Sequence, residues 1–311
     1  MTSILSYEEK IQKLLDINWL QFRRLAKSAP IIEMDEWAQY FAYDVVSELA
    51  LGRAFGMVKT GSDVGQYIQA VLGLFYWSSN LGHIPGQRNW LVHPLMQPLI
   101  KMFGSSSMKG NFKFRQFMTK AVGDRYDSKT KPDTPDMLQH FIDVRERDPE
   151  VTFYTVQNEA ANVMGAGADT TSIGIRAILY QILAHPDTQH RIQDEIDTFY
   201  TRELSDGEEI NYKQCQSLPY LQAVIKEALR LHPSIVYQLP RYCPPEGLKI
   251  GEYVIPPGWA VGISPRSMNR CKDIFGEDAN EFKPDRWLED ESRARYMDSL
   301  LATVHWTKFG S

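Results

Sequence analysis

The stretch Ala166-Gly167-Ala168-Asp169-Thr170-Thr171 sits inside the longest helical pattern of the chain and weakens it at its centre. Glycine costs a helix interior about 1 kcal/mol relative to alanine, and β-branched threonine is a poor helix former, so a run of this kind reads as a built site. The pattern around it holds. Ile175, Ile178, Leu179 and Ile182 fall at i, i+3, i+4 and i+7, the spacing of one apolar helix face. Residues 156–183 therefore predict a single rod of roughly 45 Å. A helix of that length is expected to cross the whole molecule, with its weak point deep inside, where a buried acid and alcohol need a reason.

The 311 residues are 43% hydrophobic and 12% aromatic, enough for a substantial core. Thirty-four basic and 39 acidic residues leave a net charge of −5, which excludes the electrostatic footprint of a nucleic-acid partner. Cys215, Cys243 and Cys271 are isolated and odd in number. They read as unpaired structural thiols of a reducing compartment, not as a disulfide framework. The first ten residues lack the basic flank and apolar stretch of a signal peptide, and nowhere do the roughly 18 apolar residues of a membrane span run together. The apolar run 71–77 is too short for a span and reads as core, with a shallow membrane-facing patch as the alternative.

From residue 11 to about 55 the pattern is helical, with Trp37, Phe41, Val45 and Leu49 at successive i+4 steps and Gly52 and Gly56 closing it; two packed helices are expected. Residues 80–98 and 127–135 read as loops, with helices between. Pro186 opens a further helix, Ser205-Asp206-Gly207 forms a turn, and another helix begins near Pro219. Beyond Pro233 the texture changes. Residues 248–250, 253–255 and 259–263 are short β-type segments, the last two separated by Pro256-Pro257-Gly258, which suits a tight turn in a small antiparallel sheet. Residues 271–306 are polar, proline-punctuated and mostly irregular. The fold class is mainly α with a small antiparallel β portion, with residues 1–232 helical and 233–311 carrying the β portion and the irregular segment.

Thr170 lies four residues after Ala166, so its hydroxyl can bond that carbonyl or turn away and leave it unpaired. Ala166, Gly167 and Ala168 have almost no side chains, which would let a flat ligand lie against the backbone, with Asp169 and Thr170 as a proton relay toward it. The bland alternative is close helix packing with tolerated threonines. Glu227 and Arg230 share a helix face at i, i+3, a spacing that on a surface contributes about 0.3–0.5 kcal/mol. In Phe282-Lys283-Pro284-Asp285-Arg286-Trp287, the aromatic-flanked Arg286 suggests a guanidinium docked on a buried acid, or else an ordinary loop arginine.

Taken in this order, the Ala166–Thr171 motif, the Glu227-x-x-Arg230 helix closed by Leu231-His232-Pro233, and the Pro284-x-Arg286-Trp287 segment resemble the cytochrome P-450 family of haem-thiolate monooxygenases. The resemblance runs over nearly all of the chain, and residues 37–46 are similar to a helix common in fungal members. It implies a partial cytochrome P-450 fold, a single incomplete domain over 1–311, and haem as cofactor. Ala166 and Gly167 would lie against the haem, Thr170 would hold the distal oxygen and its water, and Asp169 would help deliver protons. Glu227, Arg230 and Arg286 would form a structural cluster, and Arg241 would pair with a haem propionate. Residues 235–239 read either as lining of the substrate pocket or as strand core. A complete form would take electrons from an NADPH-dependent reductase, oxidise a hydrophobic small molecule with O2, and reside at the endoplasmic reticulum membrane; fungal secondary metabolism is the setting suggested.

The family's haem loop begins Phe-x-x-Gly-x-Arg-x-Cys, whereas this sequence ends Phe309-Gly310-Ser311, so no cysteine haem ligand is expected within it. Cys243 precedes Pro244 and Pro245, which offer no N–H to a thiolate, and neither Cys215 nor Cys271 sits in a glycine-rich loop leading into a helix. Relatives also carry an N-terminal segment ahead of residue 11, so exposed apolar surface is expected. The alternative function is a truncated, haem-free and inactive remnant, or a non-enzymatic helical binding protein.

Overall fold

The computed structural model describes residues 5–28, 31–81, 106–127, 131–132, 136–204 and 209–301, with isolated positions between 84 and 102. The chain divides into two compact units, Met1–Ser172 and Ile173–Ser311.

In the first unit, α1 (Glu8–Ser28) and α2 (Met34–Leu51) are the two helices expected before residue 55. They are joined by a ladder of edge-on rings, Trp19 to Phe22 at 5.8 Å, Phe22 to Trp37 at 5.3 Å and Trp37 to Tyr40 at 5.8 Å. Gly52 ends α2 in the left-handed region (φ 70°), and a Cβ there would strike the Asp136 carboxylate, so both the turn and the neighbour require glycine. One turn, α3 (Met57–Thr60), follows. Its start is held by buried Asp44 of α2, which accepts from the N–H groups of Gly56 (2.8 Å), Met57 (3.1 Å) and Val58 (2.9 Å). Three otherwise unpaired helix-start donors are thereby satisfied by one carboxylate. After α4 (Tyr67–Leu81), α5 (Ser106–Asp127) and α6 (Met137–Arg147) comes α7 (Phe153–Ala184), the long helix of the sequence pattern. The unit's core gathers Leu51, Ala70, Phe114, Met118, Val122, Leu138, Val156, Ala160 and Met164.

In the second unit, α8 (Pro186–Glu203) and α10 (Pro219–Leu231) both carry proline at the first turn, as expected. The two are tied by Glu195, whose carboxylate accepts from Tyr220 N (2.8 Å) and Leu221 N (2.9 Å) at the start of α10. Between them lies the short α9 (Tyr212–Gln216), closed by a reciprocal Asn211–Gln214 capping box. The turn expected at Ser205-Asp206-Gly207 lies outside the described residues.

The β portion differs from expectation. Strands β1 (Arg241–Tyr242), β2 (Leu248–Ile250), β3 (Tyr253–Ile255) and β4 (Ala260–Val261) form two separate two-stranded antiparallel ladders, β1 with β4 and β2 with β3. Pro256-Pro257-Gly258 thus separates strands of different sheets. The hairpin turn is Gly251-Glu252, with Gly251 at φ 59° supplying the backbone a two-residue loop needs. Residues 235–240 form no strand, and Tyr237 is exposed, which removes the strand-core reading of that segment. A short helix, α11 (Pro265–Met268), precedes Cys271, and the stretch after that residue is more ordered than its composition suggests: α12 (Lys272–Phe275), a 3-10 turn at Pro284–Trp287 and α13 (Glu291–Leu300). Asp290 starts α13 by accepting from Ser292 N and Arg293 N at 2.9 and 3.1 Å.

Candidate active site

Helix α7 runs unbroken through its weak centre. Thr170 Oγ1 donates to the Ala166 carbonyl at 2.8 Å, so of the two arrangements open to it, the back-bonded one is taken. The run is not deep inside along its whole circumference. Ala168 is fully buried, Asp169 and Thr170 are half-buried, and Ala166 and Thr171 are exposed. Gly167 faces Val46 of α2: a Cβ added there would sit 3.3 Å from Val46 Cγ2. Packing accounts for this glycine. On the neighbouring face a Cβ added at Gly165 meets nothing within 4 Å, and that open space belongs to a cavity.

The cavity holds about 570 Å³ and is lined by Ala70, Val71 and Phe75 of α4, Phe114 and Arg115 of α5, and the 161–166 face of α7 including Ala166. Its size is that of a small-molecule site. Ala166 apart, the sequence did not single these residues out. The apolar run 71–77 was their only signal, and core packing explains such a run equally well. Thr170 stands one turn beyond Ala166, on the same helix face.

Behind the helix lies Tyr43 of α2, packed in one cluster with Ala168. It is 1% exposed, and its hydroxyl has no hydrogen-bond partner among the described residues. Burial first, then the negative charges of Asp169 and Asp63, push the phenol well above its ordinary range. Tyr43→Phe removes an unsatisfied polar atom and keeps the ring, so it is expected to leave stability unchanged or raise it by about 1 kcal/mol in urea denaturation. A loss of similar size would show that the hydroxyl finds a partner in solution.

In the second unit the structure brings Glu227, Arg230 and Arg286 together. Arg230 Nε and Nη2 donate to the two Glu227 oxygens, each at 2.8 Å, and Arg286 Nε donates to Glu227 Oε1 at 2.9 Å. The pair is no surface contact: Glu227 and Arg230 are both 0% exposed. Lys283 N and Trp287 Nε1 add two more donors to the same carboxylate, at 3.0 and 2.9 Å. Arg230 also donates to the carbonyls of Asn269 (2.7 Å) and Ala279 (2.6 Å), and Arg286 to Phe275 O and Asp278 Oδ1. Burial alone would raise the Glu227 carboxyl; the hydrogen bonds and charge of Arg230, the Lys283 amide and Arg286 outweigh it and hold the group below its usual range. Asp278 was absent from the sequence reading, and its Arg286 hydrogen bond lowers its carboxyl too. Arg241 lies exposed on β1 and donates to the carbonyls of Leu239 (3.3 Å) and Pro240 (3.0 Å).

The sequence profile described as Cytochrome P450 matches residues 1–302. The chain belongs to the cytochrome P450 family. Among curated proteins it is similar to a pisatin demethylase of Fusarium vanettenii, 33% identical over 93% of this chain and 55% of the relative. A cytochrome P450 monooxygenase of Aspergillus terreus is 30% identical over 97% of the chain and 62% of the relative, and the monooxygenase ACRTS1 of Alternaria alternata is 30% identical over 97% and 80%. The chain thus spans little more than half the length of the first two. A crystal structure of a cytochrome P450 superposes with a TM-score of 0.74 at 20% identity, over 94% of this chain and 60% of the other, which establishes the P450 fold.

Haem is the cofactor of the P450 family, and the residues present fit a flat group on one side: the open face at Gly165 and the exposed, side-chain-poor Ala166 leave the helix backbone approachable, with the Thr170 hydroxyl one turn on. No group of three or more His, Cys, Asp or Glu residues suited to a metal occurs among the described residues, and the expected start of the haem loop, Phe309-Gly310-Ser311, lies outside them. No helix among the described residues is long and apolar enough to cross a membrane.

Proposed function

We propose that the protein is a haem monooxygenase of the cytochrome P450 family, its chain a portion of one such domain, that oxidises a hydrophobic small molecule with O2 and electrons from an NADPH-dependent reductase. The observation that carries this reading is the joining of an apolar cavity to the acid–alcohol pair of α7 through one residue, Ala166. Bound haem supplies O2 binding and O–O cleavage. The chain's own residues do the rest. Ala166 lets the ring system approach the helix, and the α4 and α5 faces hold the substrate and exclude water. Thr170 presents a hydroxyl that can hold or pass a proton, and Asp169 in the adjoining position replenishes it. Glu227, Arg230 and Arg286 lock α10 to the segment 278–287 and act through folding. Arg241 is the candidate propionate partner, since an exposed guanidinium suits a carboxylate. By resemblance the complete protein resides at the endoplasmic reticulum membrane and serves fungal secondary metabolism.

The test is the ferrous–CO spectrum of the full-length protein expressed with haem. A thiolate-type Soret band, followed by incorporation of one atom of labelled O2 into an apolar substrate in the presence of reductase, is the expected result. Failure to take up haem, with the fold intact by circular dichroism, would refute the proposal in favour of a haem-free binding protein.

A further inference from the structure

Nearly all of the wall of the α4–α5–α7 cavity is apolar, Phe75 and Phe114 being its largest members, with two departures: the guanidinium-bearing Arg115 and the amide of Asn162. Arg115 is exposed, so its guanidinium stands where the cavity meets solvent and can receive a ligand without the cost of burying a charge. Among the described residues Arg115 has none within ion-pair distance, and the ion pairs of this unit, Lys10–Glu48, Lys13–Glu9, Arg125–Asp136 and Lys131–Asp143, all lie elsewhere.

The sequence carries the observation further. Between Asp63 and Asp124 there is no aspartate or glutamate at all, although the chain has 39 of them. The same stretch holds Arg88, Lys101, Lys109, Lys113, Arg115 and Lys120. It includes all of α4 and most of α5, the two helices that form the outer walls of the cavity. An acidic protein thus carries no acidic residue along this stretch, and an exposed guanidinium on the cavity lining has no ion-pair partner among the described residues. Apolar walls concentrate such a field instead of screening it.

We propose that the cavity's substrate is a mostly apolar, flat small molecule bearing a carboxylate, which Arg115 receives through paired N–H donors while Phe75 and Phe114 cover the apolar body. Asn162 adds a further donor beside the same group. Arginine suits this role better than the neighbouring lysines because its planar fork matches a carboxylate in two hydrogen bonds. This rests on the reading of the cavity as the substrate site, and deepens it by assigning a substrate class and the residue that selects it.

Equilibrium dialysis of the full-length, haem-loaded protein against 2-naphthylacetate and its methyl ester at low ionic strength tests both layers separately. Expected are binding of both probes, an acid Kd about tenfold below that of the ester, and a smaller ratio in 0.5 M salt. Arg115→Gln is expected to bring the ratio to about one with ester binding unchanged, whereas Lys120→Gln leaves the ratio intact. Equal binding of acid and ester by the unmodified protein would overturn the carboxylate assignment while leaving the cavity reading in place. A preference that survives Arg115→Gln would overturn the role of Arg115. Ester binding that persists undiminished when Ala70→Trp fills the cavity would overturn the cavity reading itself.

Discussion

Glu227→Ala is expected to cost about 3–5 kcal/mol, the range for removing one partner of a buried ion pair. That is a large part of the 5–15 kcal/mol by which a typical domain is stable. The reason is arithmetic at the carboxylate. Its two oxygens accept five N–H donors, Arg230 Nη2, Arg286 Nε and Lys283 N at Oε1, and Arg230 Nε and Trp287 Nε1 at Oε2. All five lie on buried or half-buried residues, and water cannot replace the acid without opening the packing around Phe275, Ala279 and Trp287. Glu227→Gln should be nearly as harmful, because its amide turns a donor toward at least two of the existing donors. Glu291→Ala, which breaks an exposed pair with Arg295, should change stability by less than about 0.5 kcal/mol. Chemical denaturation followed by circular dichroism measures all three, and a Glu227→Ala protein as stable as the parent would sink the cluster's structural role. The pH dependence has a definite sign. The folded Glu227 carboxyl is held below its unfolded value of about 4.3, so its contribution is complete above that pH and is lost as pH falls through the folded value. In Glu227→Ala the acid-side decline in melting temperature should be correspondingly shallower.

How far the sequence disclosed this molecule differs from part to part, for physical reasons. The long helix was legible because its apolar face repeats at 3.6 residues over many turns, and its observed limits, Phe153–Ala184, extend the predicted span at both ends. The start of α10 was legible through its proline. Glu227, Arg230 and Arg286 were legible as a set only through resemblance, since i, i+3 spacing does not distinguish a surface pair from one with no solvent exposure. Strand pairing was misread because segments of two or three residues carry no register information. The helix α13 was missed because its composition, ESRARYMDSL, is polar; the Asp290 cap ahead of it was the usable signal. The cavity was beyond reach of a linear reading. It is made by three helices separated by many residues, and the glycine and alanines that open it on α7 look the same in sequence as those that serve close packing. The structure divides them, with Gly167 against Val46 and Ala166 on the cavity.

That division sets up the second large effect, Thr170→Ala. In the structure the Thr170 hydroxyl donates to the carbonyl one turn back, a bond that helices keep or lose at little cost. Alanine is also the better helix former by up to about 0.7 kcal/mol. The variant should therefore fold and load haem as well as the parent, and any loss belongs to the chemistry. In the haem-loaded, full-length protein the product formed per O2 consumed is expected to fall by about 10²-fold, the lower end for loss of a positioned proton-transfer group, while reductant continues to be consumed and the unused oxygen is released in reduced form. Thr170→Ser keeps a hydroxyl at the same atom and should retain most of the coupling. Asp169→Asn removes the exchangeable acid while leaving the hydroxyl, so it should slow turnover with a larger solvent isotope effect and leave substrate affinity unchanged. Phe75→Ala, on the cavity wall, should do the reverse and weaken substrate binding with coupling less affected. Unchanged coupling in Thr170→Ala would refute the relay and return the Ala166–Thr171 run to helix packing alone.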